Sequence, residues 1–335
     1  MKVSDLNYFL PDELIAVRAL KDRGSSRLLV LNTDGSIEHK MFTDLPTYLS
    51  SGDMLLINNT KVIPARLTGY KKNGGKVEIL LVGRKGQHVW EILSRGRFTG
   101  NLTFSDSLQA EIHEGKTAYF KYSGDFMEII RDLGRMPLPP YIRRLPDDLD
   151  KVSYQSIFAK KEGSIAAPTA SLHFTDRLLG KIASEGVIIR ELTLHVGIGT
   201  FKPVKTENVE EHRMETEFFE IDRGLISEIQ AIKSGGKRVI SVGTTATRAI
   251  EGYMSGRCNV ISQNGKLKGS TDVFIYPGYT FKVIDSLITN FHLPGSTPLM
   301  LTSALCGREN LLRAYREAIT IGYRFLSYGD AMLIL

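Results

Sequence analysis

The stretch DRGLISEIQAIKSGGKRVISVGTTATR, residues 222–248, decides the fold class, because it reads as helix, buried strand and second helix in one pass. Asp222 is a helix-capping residue, and Leu225, Ile226, Ile229 and Ile232 recur at the spacing that lines one helical face. Gly235-Gly236 stops that helix. RVISVG at 238–243 is a short apolar run of the kind that forms a buried strand, and Gly243-Thr244-Thr245 turns from it into a helix carrying Arg248. The same alternation lies upstream. Thr175 caps a helix with Leu178, Leu179 and Ile182, Gly186 ends it, and VIIRELTLHV at 187–196 follows as a strand. Downstream come a strand at 287–290 and two C-terminal helices, while LLVL at 28–31 and MLLI at 54–57 are short buried strands near the start. The expected fold is α/β, a mostly parallel sheet core with helices on both faces.

Between these parts the texture changes. KVEILLV, VWEIL, NLTF, LQAEI and TAYFKY are short β-type runs separated by Gly-containing turns, with no helical period between them. They predict a small antiparallel β-barrel inserted into the core. The Pro-rich MPLPPYIRR at 136–144 cannot be regular helix and marks its end. The expected division is an α/β catalytic domain at 1–65 and 150–335 with a barrel at 66–149.

Composition narrows the function classes. With 335 residues, 42% hydrophobic and 24% charged, the chain can bury a sizeable core. Forty-three basic against 37 acidic side chains give a net charge of +6, which suits an anionic partner without demanding one. The N-terminus lacks the apolar run of a secretory signal, and no stretch reaches the ~18 apolar residues of a membrane span. Cys258 and Cys306 have no Cys or His at zinc-site spacing, so no metal is expected. A cytoplasmic monomer without membrane contact or an obligate protein partner is the resulting expectation.

Four polar, Gly- or Pro-rich segments adjoin strands or helix starts: NNTKVIPAR at 58–66, GSIAAPTASLHFT at 163–175, HVGIGTF at 195–201 and GTTATR at 243–248. In an open α/β sheet ligands bind where such loops meet the strands' carboxyl ends. Gly197-Ile198-Gly199 is no dinucleotide fingerprint, since the third glycine is missing and Pro203 stands where a helix should open. GTTATR is better placed, because free N–H groups at a helix start favour polar or anionic ligands. Of seven histidines, His173, His195 and His292 lie in polar segments, where a neutral imidazole can accept a proton near pH 7. Lys61, Arg66, Arg143 and Arg144 lie near the expected junction of core and barrel, with Tyr141 as a stacking face. Each of these also has an ordinary structural reading, as a turn, a cap or a solvated charge.

Taken together, LPDELIA, GDMLLINNTKVIPARL, MPLPPYI, GSIAAPTASLHFT, LTLHVGIGTF, VGTTATRAIE, FIYPGY, TNFHLPGSTPLML and YRFLSYGDAMLI resemble the S-adenosylmethionine:tRNA ribosyltransferase-isomerase family of queuosine biosynthesis. The resemblance runs from residue 10 to 334 and implies an α/β fold with an inserted barrel. Three positions depart from its pattern: Ser171 where glycine is usual, Pro298 at an apolar helix start, and Glu215 where a second histidine is common, leaving His212 and Glu217 as the matching positions.

The implied reaction moves the ribosyl part of S-adenosylmethionine onto 7-aminomethyl-7-deazaguanine at the tRNA anticodon wobble position. It yields epoxyqueuosine-tRNA and releases adenine and methionine, so S-adenosylmethionine is a consumed substrate and no cofactor is expected. For that chemistry His173 or His195 is expected to transfer the proton, and Thr169 and Thr200 to orient sugar oxygens. Gly243, Thr244, Thr245 and Arg248 would hold a polar end of the substrate, and Tyr279, Phe281 or Glu217 the sulfonium. Asn59, Thr60, Arg66, Asn290 and His292 complete the expected substrate contacts. Lys61, Arg66, Arg143 and Arg144 are expected to meet phosphates of the tRNA anticodon stem-loop. The competing readings are an RNA-binding module without catalysis and an S-adenosylmethionine-dependent RNA methyltransferase.

Overall fold

The computed structural model describes residues 1–94, 96–197, 199 and 203–335. The chain opens with β1 (Arg27–Leu31), β2 (Ile37–Met41) and β3 (Met54–Asn58), then β4 (Thr60–Val62). Next come β5 (Arg66–Tyr70), β6 (Lys76–Arg84), β7 (Val89–Ser94), β8 (Gly100–Ser105), β9 (Leu108–His113) and β10 (Thr117–Tyr122). These six close into a barrel in the order β10-β7-β6-β5-β8-β9, so the insertion has no free edge. Alternation fills it: Leu108, Ala110 and Ile112 of β9 point in, while Gln109, Glu111 and His113 point out. The helix α1 (Phe126–Leu133) adds Phe126 and Ile130 to the barrel's apolar cluster.

After α2 (Asp148–Ser153), β11 (Lys161–Ser164) pairs in parallel with β4. The βα part then runs through α3 (Asp176–Ser184), β12 (Ile188–Leu194), β13 (Glu217–Asp222), α4 (Arg223–Ser234), β14 (Val239–Val242) and α5 (Thr244–Met254). It ends with β15 (Cys258–Gln263), β16 (Lys266–Thr271), β17 (Ser286–Asn290), α6 (Thr297–Cys306), α7 (Arg308–Ile321) and β18 (Ala331–Ile334). The expected caps are made: Thr175 Oγ1 accepts from the Leu178 N–H at 3.2 Å and Asp222 Oδ1 from the Gly224 N–H at 2.9 Å. Pro298 falls in the first turn of α6, where its missing N–H costs no helical bond, so it does not interrupt the helix.

The core is a ten-stranded sheet in the order β15-β16-β13-β12-β3-β14-β17-β18-β1-β2. It is α/β, as expected, but mixed: β12, β3, β14 and β17 run parallel at its centre and β18 pairs parallel with β1, whereas both edges are antiparallel. Side chains alternate across it. Met54 and Leu56 of β3 join the cluster under α4 and α5, and Leu55 and Ile57 join the one under α3. On the first face α6 and α7 pack over Leu29, Leu31, Met332 and Ile334. The Pro-rich segment packs Met136, Leu138 and Ile142 against Val62, Tyr154, Ala167 and Tyr328.

Candidate active site

At the carboxyl ends of β14 and β17 lies a cavity of about 190 Å³. Its walls come from Ala166–Ala170 after β11, Val196 after β12, Gly243–Thr245 at the start of α5 and Thr289–Leu293 at the end of β17, with Tyr141, Leu326 and Ser327 from elsewhere. Three of the four expected loops thus meet. The fourth, 58–66, does not line the cavity, and its place is taken by 289–298.

Buried hydrogen bonds hold these loops. Ser164 Oγ donates to Ala166 O at 2.7 Å and accepts from the Val196 N–H at 2.9 Å, joining the second loop to the third. Asn58, fully buried, donates from Nδ2 to Leu194 O and to Thr245 Oγ1, while its Oδ1 accepts from the N–H groups of Thr60 and Leu194. It fastens the ends of β3 and β12 to the first turn of α5. Sequence reasoning singled out Asn59 and Thr60 instead; the signal for Asn58 was an amide closing an otherwise apolar strand.

Gly243 has φ 87°, which glycine adopts without strain, and this turn aims the α5 start at the cavity. The N–H groups of the first helical residues, Thr244, Thr245 and Ala246, have no acceptor within the helix, so this wall is a donor surface with partial positive charge. His292 shares a hydrogen bond between Nε2 and Thr289 Oγ1 at 2.7 Å, and its main-chain N–H donates to Tyr315 Oη at 2.9 Å. Burial pushes its pKa down to about 3, so the imidazole is neutral at pH 7. Tyr141 Oη and Ser327 Oγ are 2.6 Å apart, and burial raises the phenol's pKa to about 12. Asn290 Nδ2 donates to Leu326 O at 3.0 Å. Leu326 holds φ 69°, a left-handed conformation that costs a branched residue.

The other expected residues fall as follows. Thr169 lines the cavity from a tight turn at Thr169–His173, but His173 does not. Its Nδ1 lies 2.7 Å from Ser26 Oγ, Phe42 packs on the ring, and burial lowers its pKa to about 4 with Asp330 and Asn290 opposing. His195 lies outside the cavity wall too: Nδ1 meets Thr60 Oγ1 at 2.8 Å and the ring stacks on Phe218. Ser171, fully buried in that tight turn, is not among the residues with positive φ, so serine there carries no backbone strain. Asn59 bridges Thr193 and Glu191.

Arg248 and Glu217 form a buried ion pair at 2.8 Å, and Glu217 also accepts from the Gly197 N–H, which places them beneath the third loop rather than in the cavity. Tyr279 is turned away, donating to Glu251 at 3.0 Å, with Phe281 edge-on beside it. His212 packs against Phe274. Lys61 pairs with Glu162, Arg66 with Glu78 and Arg144 with Asp150, while Arg143 is exposed. Thr200 lies outside the described residues. Among those residues no group of His, Cys, Asp and Glu is placed to hold a metal ion, and no helix is long and apolar enough to cross a membrane.

An α/β core with a loop-lined cavity at the strands' carboxyl ends, beside an inserted barrel, has the layout of an enzyme of the α/β class. Residues 3–334 match the family described as queuosine biosynthesis protein, and the chain belongs to that family. Proteins of Thermodesulfovibrio yellowstonii and Halothermothrix orenii, both named S-adenosylmethionine:tRNA ribosyltransferase-isomerase, are 54% and 50% identical over the whole of both chains. The crystal structure of an S-adenosylmethionine tRNA ribosyltransferase from Thermotoga maritima is 34% identical with a TM-score of 0.57, over 99% of this chain and 100% of that one. The expectation of a transferase-isomerase of queuosine biosynthesis therefore stands, against a non-catalytic module or a methyltransferase.

Proposed function

We propose that the cavity binds S-adenosylmethionine and that the chain transfers and isomerises its ribosyl part onto 7-aminomethyl-7-deazaguanine at the wobble position of a tRNA anticodon. S-adenosylmethionine is consumed, and adenine and methionine leave. The observation that carries this reading is the meeting of Thr169, Gly243–Thr245 and Asn290–His292, from three separate loops, around one cavity.

The donor surface at the start of α5 suits the methionine carboxylate. Thr169 and Asn290 suit the sugar oxygens. The sulfonium makes the neighbouring C5′ proton acidic, and a base takes it to give an ylide. Adenine then leaves C1′, the exocyclic amine of the tRNA base attacks the unsaturated sugar, and epoxide closure expels methionine. Of the three histidines weighed, His292 faces the cavity, and we assign the proton transfer to it rather than to His173 or His195. Its neutrality places no repelling charge beside the sulfonium; burial makes it a weak base, so the imidazolium formed on taking the proton passes it readily to departing adenine. The target base must be splayed from its loop for its amine to reach the cavity.

Incubating the protein with S-adenosylmethionine and tRNA carrying the precursor base should release free adenine and methionine. S-adenosylhomocysteine in their place, or no adenine, overturns the reading.

A further inference from the structure

The outer face of the sheet beyond β12 carries side chains that the cavity chemistry does not use. On β13 the inward Phe219 and Ile221 are buried under α4 and α5, while Phe218, Glu220 and Asp222 point the other way, opposite Ser270, Lys268 and Lys266 of β16. Phe218 is 43% exposed, unusual for a phenylalanine, and it stacks on His195 with ring planes 15° apart and centroids at 5.9 Å. The aromatic pair is therefore held in place while one ring face stays wet.

Cations crowd the same face. Lys161, Lys266 and Lys268 all lie within 4 Å of Glu220, at 3.7, 2.6 and 3.6 Å. Glu220 and Asp222 set two carboxylates against three ammonium groups on this face, so the cluster keeps an excess of one positive charge. Lys160 pairs with Glu191 beside it, and the main-chain N–H groups of Lys160 and Lys161 both donate to Asn59 O, which fixes that strand at the edge of the face. An exposed aromatic platform flanked by lysines is the arrangement that holds unpaired RNA, the ring stacking a base and the cations meeting the flanking phosphates. An acidic protein surface would use the lysines but gain little from a bare ring.

We infer that this face binds the single-stranded part of the RNA substrate, with Phe218 on His195 stacking an unpaired base and Lys161, Lys266 and Lys268 contacting phosphates. It adjoins the cavity through the chain itself, since His195 stands on this face and Val196 lines the cavity wall. The inference rests on the proposed function for the identity of that RNA as tRNA. It adds a second set of RNA contacts to the expected ones at Lys61, Arg66 and Arg144, which hold Glu162, Glu78 and Asp150, and at the exposed Arg143.

The test measures affinity of the whole protein for an RNA stem-loop with an anticodon-arm sequence, over a range of salt. Phe218→Ala should weaken binding about 10-fold and Phe218→Trp should retain it, because stacking needs only a ring face. The double variant K161E/K268E should weaken binding at least 10-fold and lower the salt slope by about 1.4, the share of two phosphate contacts in single-stranded RNA. Unchanged affinity in F218A, or equal binding of a duplex without a loop, overturns the platform. Adenine release by the unaltered protein is followed in parallel. If release is absent while these losses occur, the proposed reaction fails and the RNA face stands; if release is normal and the variants bind as the parent does, only the RNA face fails.

Discussion

The cavity wall and the junction between core and barrel are both rich in polar residues, yet they are built in opposite ways. Around the cavity, polar groups meet neutral partners: His292 with Thr289, Tyr141 with Ser327, Thr245 with Asn58. At the junction, cations meet carboxylates: Lys61 and Arg131 share Glu162, Arg66 holds Glu78, and Arg144 holds Asp150. Burial works against ionising Asp150, but hydrogen bonds from Arg144, the Asp147 N–H and Tyr328 keep its carboxyl below the ordinary range. A cation so paired is a strut, and a phosphate would have to displace its carboxylate. A neutral hydroxyl or a helix-start N–H keeps its capacity for a ligand.

The contrast can be broken most sharply at the ion pair beneath the cavity loops. Arg248 and Glu217 have side chains only 7% and 2% exposed, so Glu217→Ala leaves a guanidinium uncompensated and should cost about 3–5 kcal/mol in urea unfolding. A loss below ~1 kcal/mol would mean that water reaches the pair. Next, His292→Ala should lower turnover about 100-fold, equivalent to ~2.7 kcal/mol, while His195→Ala should not match it. Equal losses in both variants would erase the distinction between a cavity imidazole and a supporting one.

His173 sharpens the comparison through pH. Its folded pKa of about 4 lies below the unfolded value near 6.5, so between those limits the unfolded chain binds the extra proton. Stability from this group is complete above pH ~6.5 and falls as pH drops toward 4, by up to ~1.4 kcal/mol per unit, and His173→Gln should flatten that slope. Unfolding curves that coincide at pH 4.5 and 6.5 contradict the buried neutral imidazole. Smallest of all, Lys61→Ala should change stability by less than ~1 kcal/mol and leave turnover within about twofold, as a half-exposed pair allows.

Local chemistry made much of the fold legible. The caps Thr175 and Asp222 and the apolar periods of α3 and α4 are short-range signals, and all are realised. Sheet direction at the edges was not legible, because an apolar run reads the same in parallel and antiparallel pairing. For the site, residue type and adjacency to strands selected loops well but side chains poorly. His173 meets Ser26 across 147 residues, and Thr60 meets His195 across 135, partners that no local window reveals. His292 looked like one histidine among several beside a Pro-Gly turn, and only the end of β17 places it in the cavity.

Leu326 holds a left-handed backbone while its side chain, 4% exposed, lines the cavity. The strain costs about 1–3 kcal/mol, whereas emptying the site of a buried leucine costs about 2–5 kcal/mol, so glycine would regain only part of what it loses. Leucine at this position therefore serves the fold and the shape of the cavity together, and a library there, scored separately for thermal survival and for product, would separate selection on the fold from selection on the substrate.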